Sequence, residues 1–188
     1  MKLKPNNKKK IVIFEGPSGA GKDTILNALV ERYPDHFSHV ISTTTRAMRE
    51  NESQGNPYNF VDDETFERMF ENGDIFEKTQ RHGTKRGMSQ KAFDEILANG
   101  KYPIKDCDKN GLFALKKLYG DNVISIFIHV PKEEVEKRLK NRGDAPDEVK
   151  RRLDNYDETL KQAQFYEHHV DNLDLEKAVE DVLKIIMR

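Results

Sequence analysis

Apolar positions along this chain fall into short blocks that alternate between strand-like and helix-like spacing. Ile11-Val12-Ile13-Phe14 is a continuous apolar run, the pattern of a strand covered on both faces. Ile25, Leu26, Leu29 and Val30 follow at helical spacing, and Tyr33-Pro34-Asp35 ends that pattern. Residues 37–43 are short and β-compatible, whereas 44–59 are too polar and turn-rich for a core. A helix is predicted from Asp62 or Asp63, with Phe66, Met69 and Phe70 on one face and Asn72-Gly73 closing it. A strand at 75–80 comes next. A helix capped by Ser89 and carrying Phe93, Ile96 and Leu97 follows, then a strand at 102–104. Residues 112–119 form a helix that Gly120 ends. The most apolar run, 123–130, is the best candidate for the central strand. Pro131 opens a basic helix reaching Asn141. One long helix is expected from about Asp147, with Val149, Leu153, Tyr156, Leu160 and Ala163 at alternating four- and three-residue steps. The last helix, from Leu175, buries Val179, Val182, Leu183 and Ile186. Repeated strand–helix units predict an α/β fold: a parallel sheet with helices on both faces.

Composition narrows the function. At 188 residues the chain suits one domain with a real core, and no repeat or linker suggests a second. Lys and Arg number 32 against 33 Asp and Glu, for a net charge of −1, so bulk electrostatics point to neither nucleic acid nor a membrane surface. No apolar run is long enough to span a bilayer. Residues 2–10 are basic and polar with no apolar segment behind them, which reads as a tail and not a targeting signal. The one cysteine, Cys107, excludes an internal disulfide framework and fits a reducing cytoplasm. No Cys/His spacing suggests zinc, and the adjacent His168-His169 read as solvated surface residues.

The chemistry centres on Gly16-Pro17-Ser18-Gly19-Ala20-Gly21-Lys22-Asp23-Thr24. An apolar strand precedes it and a helix follows, which is the context a phosphate-binding loop requires. Glycines let the backbone N–H groups wrap phosphate oxygens, and the helix N-terminus adds free donors and the positive end of its dipole. Lys22 is expected to reach the β- and γ-phosphates. An ordinary glycine-rich turn is the alternative; the full spacing with the lysine favours the phosphate loop. The residue after the lysine is Asp23 where Ser or Thr is usual, with a hydroxyl only at Thr24. A carboxylate beside a triphosphate costs Coulomb energy unless a cation offsets it. Asp23 is therefore expected to contact Mg2+, directly or through water, and Thr24 to take a phosphate or the same ion.

A second constellation is Ser42-Thr43-Thr44-Thr45-Arg46-Ala47-Met48-Arg49, continuing to Gly55-Asn56-Pro57-Tyr58-Asn59-Phe60-Val61. Two arginines three apart with hydroxyls and a tyrosine suit a phosphate clamp; a solvated basic loop is the equal alternative. Here the sequence resembles the guanylate kinase family, from the phosphate loop to the last helix. The pattern is Thr-Thr-Arg-x-x-Arg, then a Gly, then Tyr-x-Phe-Val, and all of it is present. The resemblance implies that Ser42, Arg46, Arg49 and Tyr58 hold the phosphate of the acceptor nucleotide. It implies that Glu77 and Asp108 read its base and that Asp106 lies near metal and phosphates. Guanine offers N–H donors at N1 and N2 that carboxylates accept, and adenine does not. Taken singly, Glu77 or Asp108 would read as surface acids.

Lys137-Arg138-Leu139-Lys140-Asn141-Arg142-Gly143 resembles the family's lid, with Arg138 and Arg142 on one helix face closing over ATP phosphates. On its own it reads as a solvated basic face. Arg152 matches the arginine reaching the transferring phosphoryl group, with Arg151 as its backup, and Asn172 sits where the family contacts adenine. The chain departs from the family at His82-Gly83-Thr84-Lys85-Arg86-Gly87-Met88-Ser89: Arg86 replaces a phosphate-binding Tyr and Met88 a base-binding hydroxyl. Lys105 stands where an apolar strand residue is usual. The implied fold is a P-loop kinase with a five-stranded parallel sheet. Its core spans about 9–42 and 92–188, an acceptor-binding insertion about 43–91, and a helical lid about 132–155. The implied reaction is ATP-dependent, Mg2+-dependent phosphorylation of GMP or dGMP, by a monomer or homodimer. Rivals are a same-fold kinase for another nucleoside monophosphate or ribose 1,5-bisphosphate, and a non-catalytic binding module of the same family.

Overall fold

Strand β1, Ile11–Glu15, is the axis of the molecule. Val12 and Phe14 project to one face and Ile11 and Ile13 to the other, and all four are fully buried. A computed structural model describes residues 10–81 and 83–187; the basic tail at 2–9 and His82 lie outside the described residues. With strands numbered in chain order, β2 (Phe37–His39), β7 (Tyr102–Asp106), β1, β8 (Val123–His129) and β9 (His168–Asp171) stand side by side in that order. Every pairing in this sheet is parallel. Helices α1 (Lys22–Arg32), α5 (Lys132–Asn141) and α8 (Leu175–Ile186) cover the Val12–Phe14 face. Helices α3 (Gln90–Ala98) and α4 (Lys109–Tyr119) cover the other. The sheet is thus buried on both sides, as the continuous apolar run of β1 requires.

A second, four-stranded sheet has the order β4 (Asn59–Phe60), β3 (Thr43–Thr44), β6 (Thr84–Ser89), β5 (Ile75–Arg81). The segment expected as one strand over 37–43 is therefore split: β2 joins the main sheet and β3 the second, with Val40 bonded to Ile104 between them. Helix α2 (Asp63–Glu71) lies beside the second sheet, capped by Asp62, whose carboxylate accepts the Thr65 N–H at 2.7 Å. Only Phe66 of its expected apolar face is buried; Phe70 is exposed under the Lys78 ammonium, 4.3 Å from its ring centre.

Two expectations are corrected. The run 123–130 forms β8, an inner strand flanked by β1 and β9, while β1 takes the centre. The long helix from 147 is broken: α6 spans Pro146–Asp154, α7 spans Tyr156–Lys161, and a 3-10 turn runs over Gln162–Phe165. Asn155 marks the break, its side-chain amide bonded to the Arg151 carbonyl in competition with the backbone ladder. His168 and His169 keep their surface reading, half-buried and exposed respectively, and they open β9, a strand the sequence pattern did not predict. This edge strand is legible only at Val170, and His169 packs 6.0 Å from the Phe127 ring. Ser89 occupies the N-cap of α3 as expected but makes no capping bond with its side chain.

Phe66 is the anchor of α2 on the second sheet, at the bare Cα of Gly87. Phe66→Ala is expected to cost about 3–5 kcal/mol in urea unfolding, the range for an aromatic side chain lost from a packed site.

Candidate active site

The carboxyl ends of parallel strands form the crevice where α/β sheets bind ligands. Here β1 runs directly into the glycine-rich loop. Gly16 has φ 152°, and a Cβ on it would collide with the Ile128 carbonyl of β8. Gly21 has φ 82°, serves as the N-cap of α1, and lies against the Asn172 amide. The loop is held from below by Asn172, which is buried and donates to the Ala20 carbonyl at 2.7 Å. Lys22 folds over the loop and donates to the carbonyls of Gly16 and Pro17.

Two cavities open here. One, of about 570 Å³, is lined by Ser18, Gly19, Gly21, Lys22, Asp23 and Thr24, with Arg138, Arg142 and Arg152 across from them and Asn172, Leu173 and Leu175 at one end. The structure thus gathers most of the predicted donor residues. Ala20 is fully buried, and neither it nor Gly16 faces this cavity. The Asn172 amide, expected at a base, is taken up by the loop itself. Arg152 of α6 already reaches the loop, donating to the Ser18 hydroxyl, while Glu148 accepts its Nε–H at 2.7 Å. Arg138 bonds the Asn172 carbonyl and Glu134, and Arg142 pairs with Asp144. Glu148, between Arg151 and Arg152, is held low, at about 2, chiefly by its bonds to Arg151.

The other cavity, of about 630 Å³, lies between the two sheets. Ser42, Arg46, Glu77, Arg86, Met88, Asp106 and Asp108 all line it. Lys22 and Asp106 line both cavities, so the two spaces meet at this lysine and this carboxylate. Arg46 is bidentate to Glu52 through one nitrogen, at 2.7 and 2.8 Å. The Arg86 guanidinium lies 4.5 Å from the Tyr58 ring centre and that of Arg46 lies 5.7 Å from it, so Tyr58 is flanked by both. Arg49 is exposed and stands outside the cavity lining, its own N–H bonded to Glu52. Met88 lines the cavity but is 97 % buried among Phe93, Leu112 and Leu115, as a core residue.

Sequence reasoning missed Glu15 and the capping role of Asp108. Glu15 ends β1, lines this second cavity, and accepts the Gly16 N–H at 2.9 Å. Burial raises its carboxyl, only partly offset by Lys22. Asp108 caps α4, accepting from Asn110 and Gly111 at 3.0 and 3.1 Å. The signal was an Asp three residues before a glycine at the start of a helix, read only for its charge. Burial raises Glu77, and Asp108 adds to the rise. Burial also pushes Asp106 up, but Lys105 and Lys22 more than offset it and hold its carboxyl below the usual range.

The family model described as Guanylate kinase matches residues 8–188. The chain belongs to the guanylate kinase family. A guanylate kinase of Helicobacter pylori strain J99 is 39% identical over 183 residues, covering 96% of this chain and 87% of that one. A guanylate kinase of Campylobacter jejuni strain RM1221 is 32% identical over 179 residues, covering 94% and 87%. The crystal structure of the guanylate kinase from Anaplasma phagocytophilum superposes with a TM-score of 0.72 at 26% identity, covering 96% of this chain and 86% of that one. Among the described residues, no helix of this family member is long and apolar enough to cross a membrane.

Two stability outcomes follow from the geometry. Asn172→Ala leaves the Ala20 carbonyl without its partner and is expected to cost about 1–3 kcal/mol in thermal unfolding. A buried carboxyl whose folded pKa is raised penalises the folded state above that pKa, and the penalty disappears as pH falls through it. Glu77→Gln should therefore raise the Tm of the ligand-free protein at about pH 7, with the gain shrinking as the pH is lowered.

Proposed function

We propose that this protein transfers the γ-phosphoryl group of ATP to GMP, giving ADP and GDP, with Mg2+. The observation that carries this is the meeting of the two cavities at Lys22 and Asp106, one holding a phosphate loop and the other Glu77 and Asp108. Phosphoryl transfer needs in-line positioning and charge neutralisation, and a nucleotide phosphate is already ionised at neutral pH, so no general base is required.

Each part has a physical role. The loop N–H groups and the start of α1 cradle the ATP phosphates. Lys22 leaves the Gly16 and Pro17 carbonyls for the phosphate at the junction. Arg138, Arg142 and Arg152 neutralise charge from the other wall. Arg152 sits at Ser18 with a fixed guanidinium plane, suited to two phosphate oxygens at once. In the other cavity, Arg46, Arg86 and Ser42 hold the acceptor phosphate. Arg49 joins them only if its loop closes inward. Arg86, stacked on Tyr58, supplies a charged donor where the family has a neutral one. Glu77 and Asp108 accept the N1–H and N2–H of guanine. Adenine offers neither of those donors in that pattern, and two carboxylates left facing it would lose solvation without compensation.

The residues present fit an Mg2+ ion carried by phosphates. Asp106 is ionised and stands on the wall the cavities share, with Thr24 and Asp23 nearby along the donor cavity. Among the described residues, no group of three or more His, Cys, Asp or Glu forms a metal cage, which suits an ion held mostly by phosphates and water. Bound there, the ion would neutralise charge on the transferring group. Lys22 and the arginines do the remaining neutralisation.

The test is ADP release with Mg·ATP across GMP, dGMP, AMP, CMP, UMP, dTMP and ribose 1,5-bisphosphate. Turnover confined to guanine nucleotides is expected; silence with them and turnover of another acceptor would overturn the reading. Arg86→Ala is expected to lower kcat/KM for GMP about 10- to 100-fold, mostly through KM, as one charged phosphate contact is lost.

A further inference from the structure

On the sheet face that carries Ile11 and Ile13, the side chains change character at the strand ends. Ile13 is the register partner of Lys105, and beyond them the same face shows Glu15 and Cys107. The face turns from apolar to charged where the acceptor cavity begins, and Glu15, Lys105 and Cys107 all line that cavity. A lysine on an inward strand face is costly unless its ammonium has partners. The Lys105 side chain is 16% exposed, and its ammonium lies 3.2 Å from the Asp106 carboxylate. Its charge also lowers the proton affinity of Glu77, against burial and Asp108, which raise it. The ammonium is thus paired with the carboxylate at the junction and lines the same cavity as Glu77.

The other cationic donors of the cavity are engaged elsewhere. Arg46 and Arg86 flank Tyr58, and Lys22 sits on loop carbonyls. Met88, on the wall near the base, is packed in the core: a Cβ on Gly111 would lie 2.9 Å from its methyl group. A base that gives N–H groups to Glu77 must place its neighbouring carbonyl oxygen against something. We infer that Lys105 is a specificity-determining residue whose ammonium donates to the O6 carbonyl of the guanine bound by Glu77. This rests on the proposed GMP acceptor.

The match is one of pattern. The guanine edge runs donor, donor, acceptor through N2–H, N1–H and O6. A carboxylate beside an ammonium is its complement. Adenine would put an amino group against the ammonium and an unprotonated ring nitrogen against the carboxylate, so both contacts become repulsive. In the ligand-free protein Asp106 holds the ammonium, and guanine would draw it toward Glu77.

The test compares wild type, Lys105→Met and Lys105→Arg with GMP and with 6-thio-GMP, whose sulfur is a weaker hydrogen-bond acceptor than the carbonyl oxygen. Thermal unfolding verifies that each variant is folded. Lys105→Met should raise KM for GMP about 10- to 100-fold with kcat changed little, and Lys105→Arg should recover part of the loss. With 6-thio-GMP the gap between wild type and Lys105→Met should largely close. Equal losses with both acceptors overturn the inference, as does a fall in kcat with a raised Mg2+ requirement, which would assign the ammonium to Asp106. Unchanged kinetics in Lys105→Met also overturn it, while leaving the GMP assignment intact. A wild type inert toward GMP overturns both.

Discussion

The phosphate loop is seated by backbone approaches that leave no room for side chains, and the rest of the site hangs from that seating. Gly16 lies against the Ile128 carbonyl, so β1 and β8 determine where the loop begins. Asn172, just past β9, ties off the other end through the Ala20 carbonyl. Three parallel strands thus converge on one loop, and α1 starts at the point they define. Lys22, the first residue of α1, is carried to the junction of the two cavities by this frame and not by its own flexibility.

The acceptor cavity is electrostatically expensive when empty. Glu15 and Glu77 are both raised by burial, and Asp106 stays ionised only through Lys105 and Lys22. Such a site opposes folding slightly and favours a ligand that brings matching donors and charge. The donor cavity is the reverse: arginines face phosphate-binding backbone, and meanwhile carboxylates hold them. Glu148, Asp144 and Glu134 occupy Arg152, Arg142 and Arg138 in the ligand-free protein. These surface pairs are individually weak, so phosphates can displace them at small cost.

How much was legible in the sequence follows from how local each signal is. The β1–loop–α1 unit is contiguous, and its apolar run, glycines and lysine identify it without tertiary information. The parallel sheet followed from alternation of elements. Edge strand β9 was invisible because three of its four residues are polar, and only pairing with β8 makes it a strand. The break at Asn155 was invisible because its apolar residues keep helical spacing through it. Within the site, Glu77, Asp106 and Asp108 were found by pattern with a family, and their proximity belongs to the fold. Arg49 shows the limit of that transfer: its place in the motif is right, yet its side chain faces solvent in this conformation. Glu15 was missed because an acid closing a hydrophobic strand looks like the strand's solvated end.

Asp108 shows why specificity and architecture are hard to separate here. One of its carboxylate oxygens accepts the N–H groups of Asn110 and Gly111 and so starts α4. That bonding fixes the side chain before any base arrives, and its other oxygen is the one left for a ligand in the cavity. In the proposed reading, the geometry of the cap is therefore also the geometry of base recognition. Gly111 adds to the constraint: a Cβ there would press on Met88 and Cys107, so the helix start, the buried methionine and the cavity wall can only be repacked together. The proposed guanine recognition would thus be held in place by the same contacts that close the core behind it.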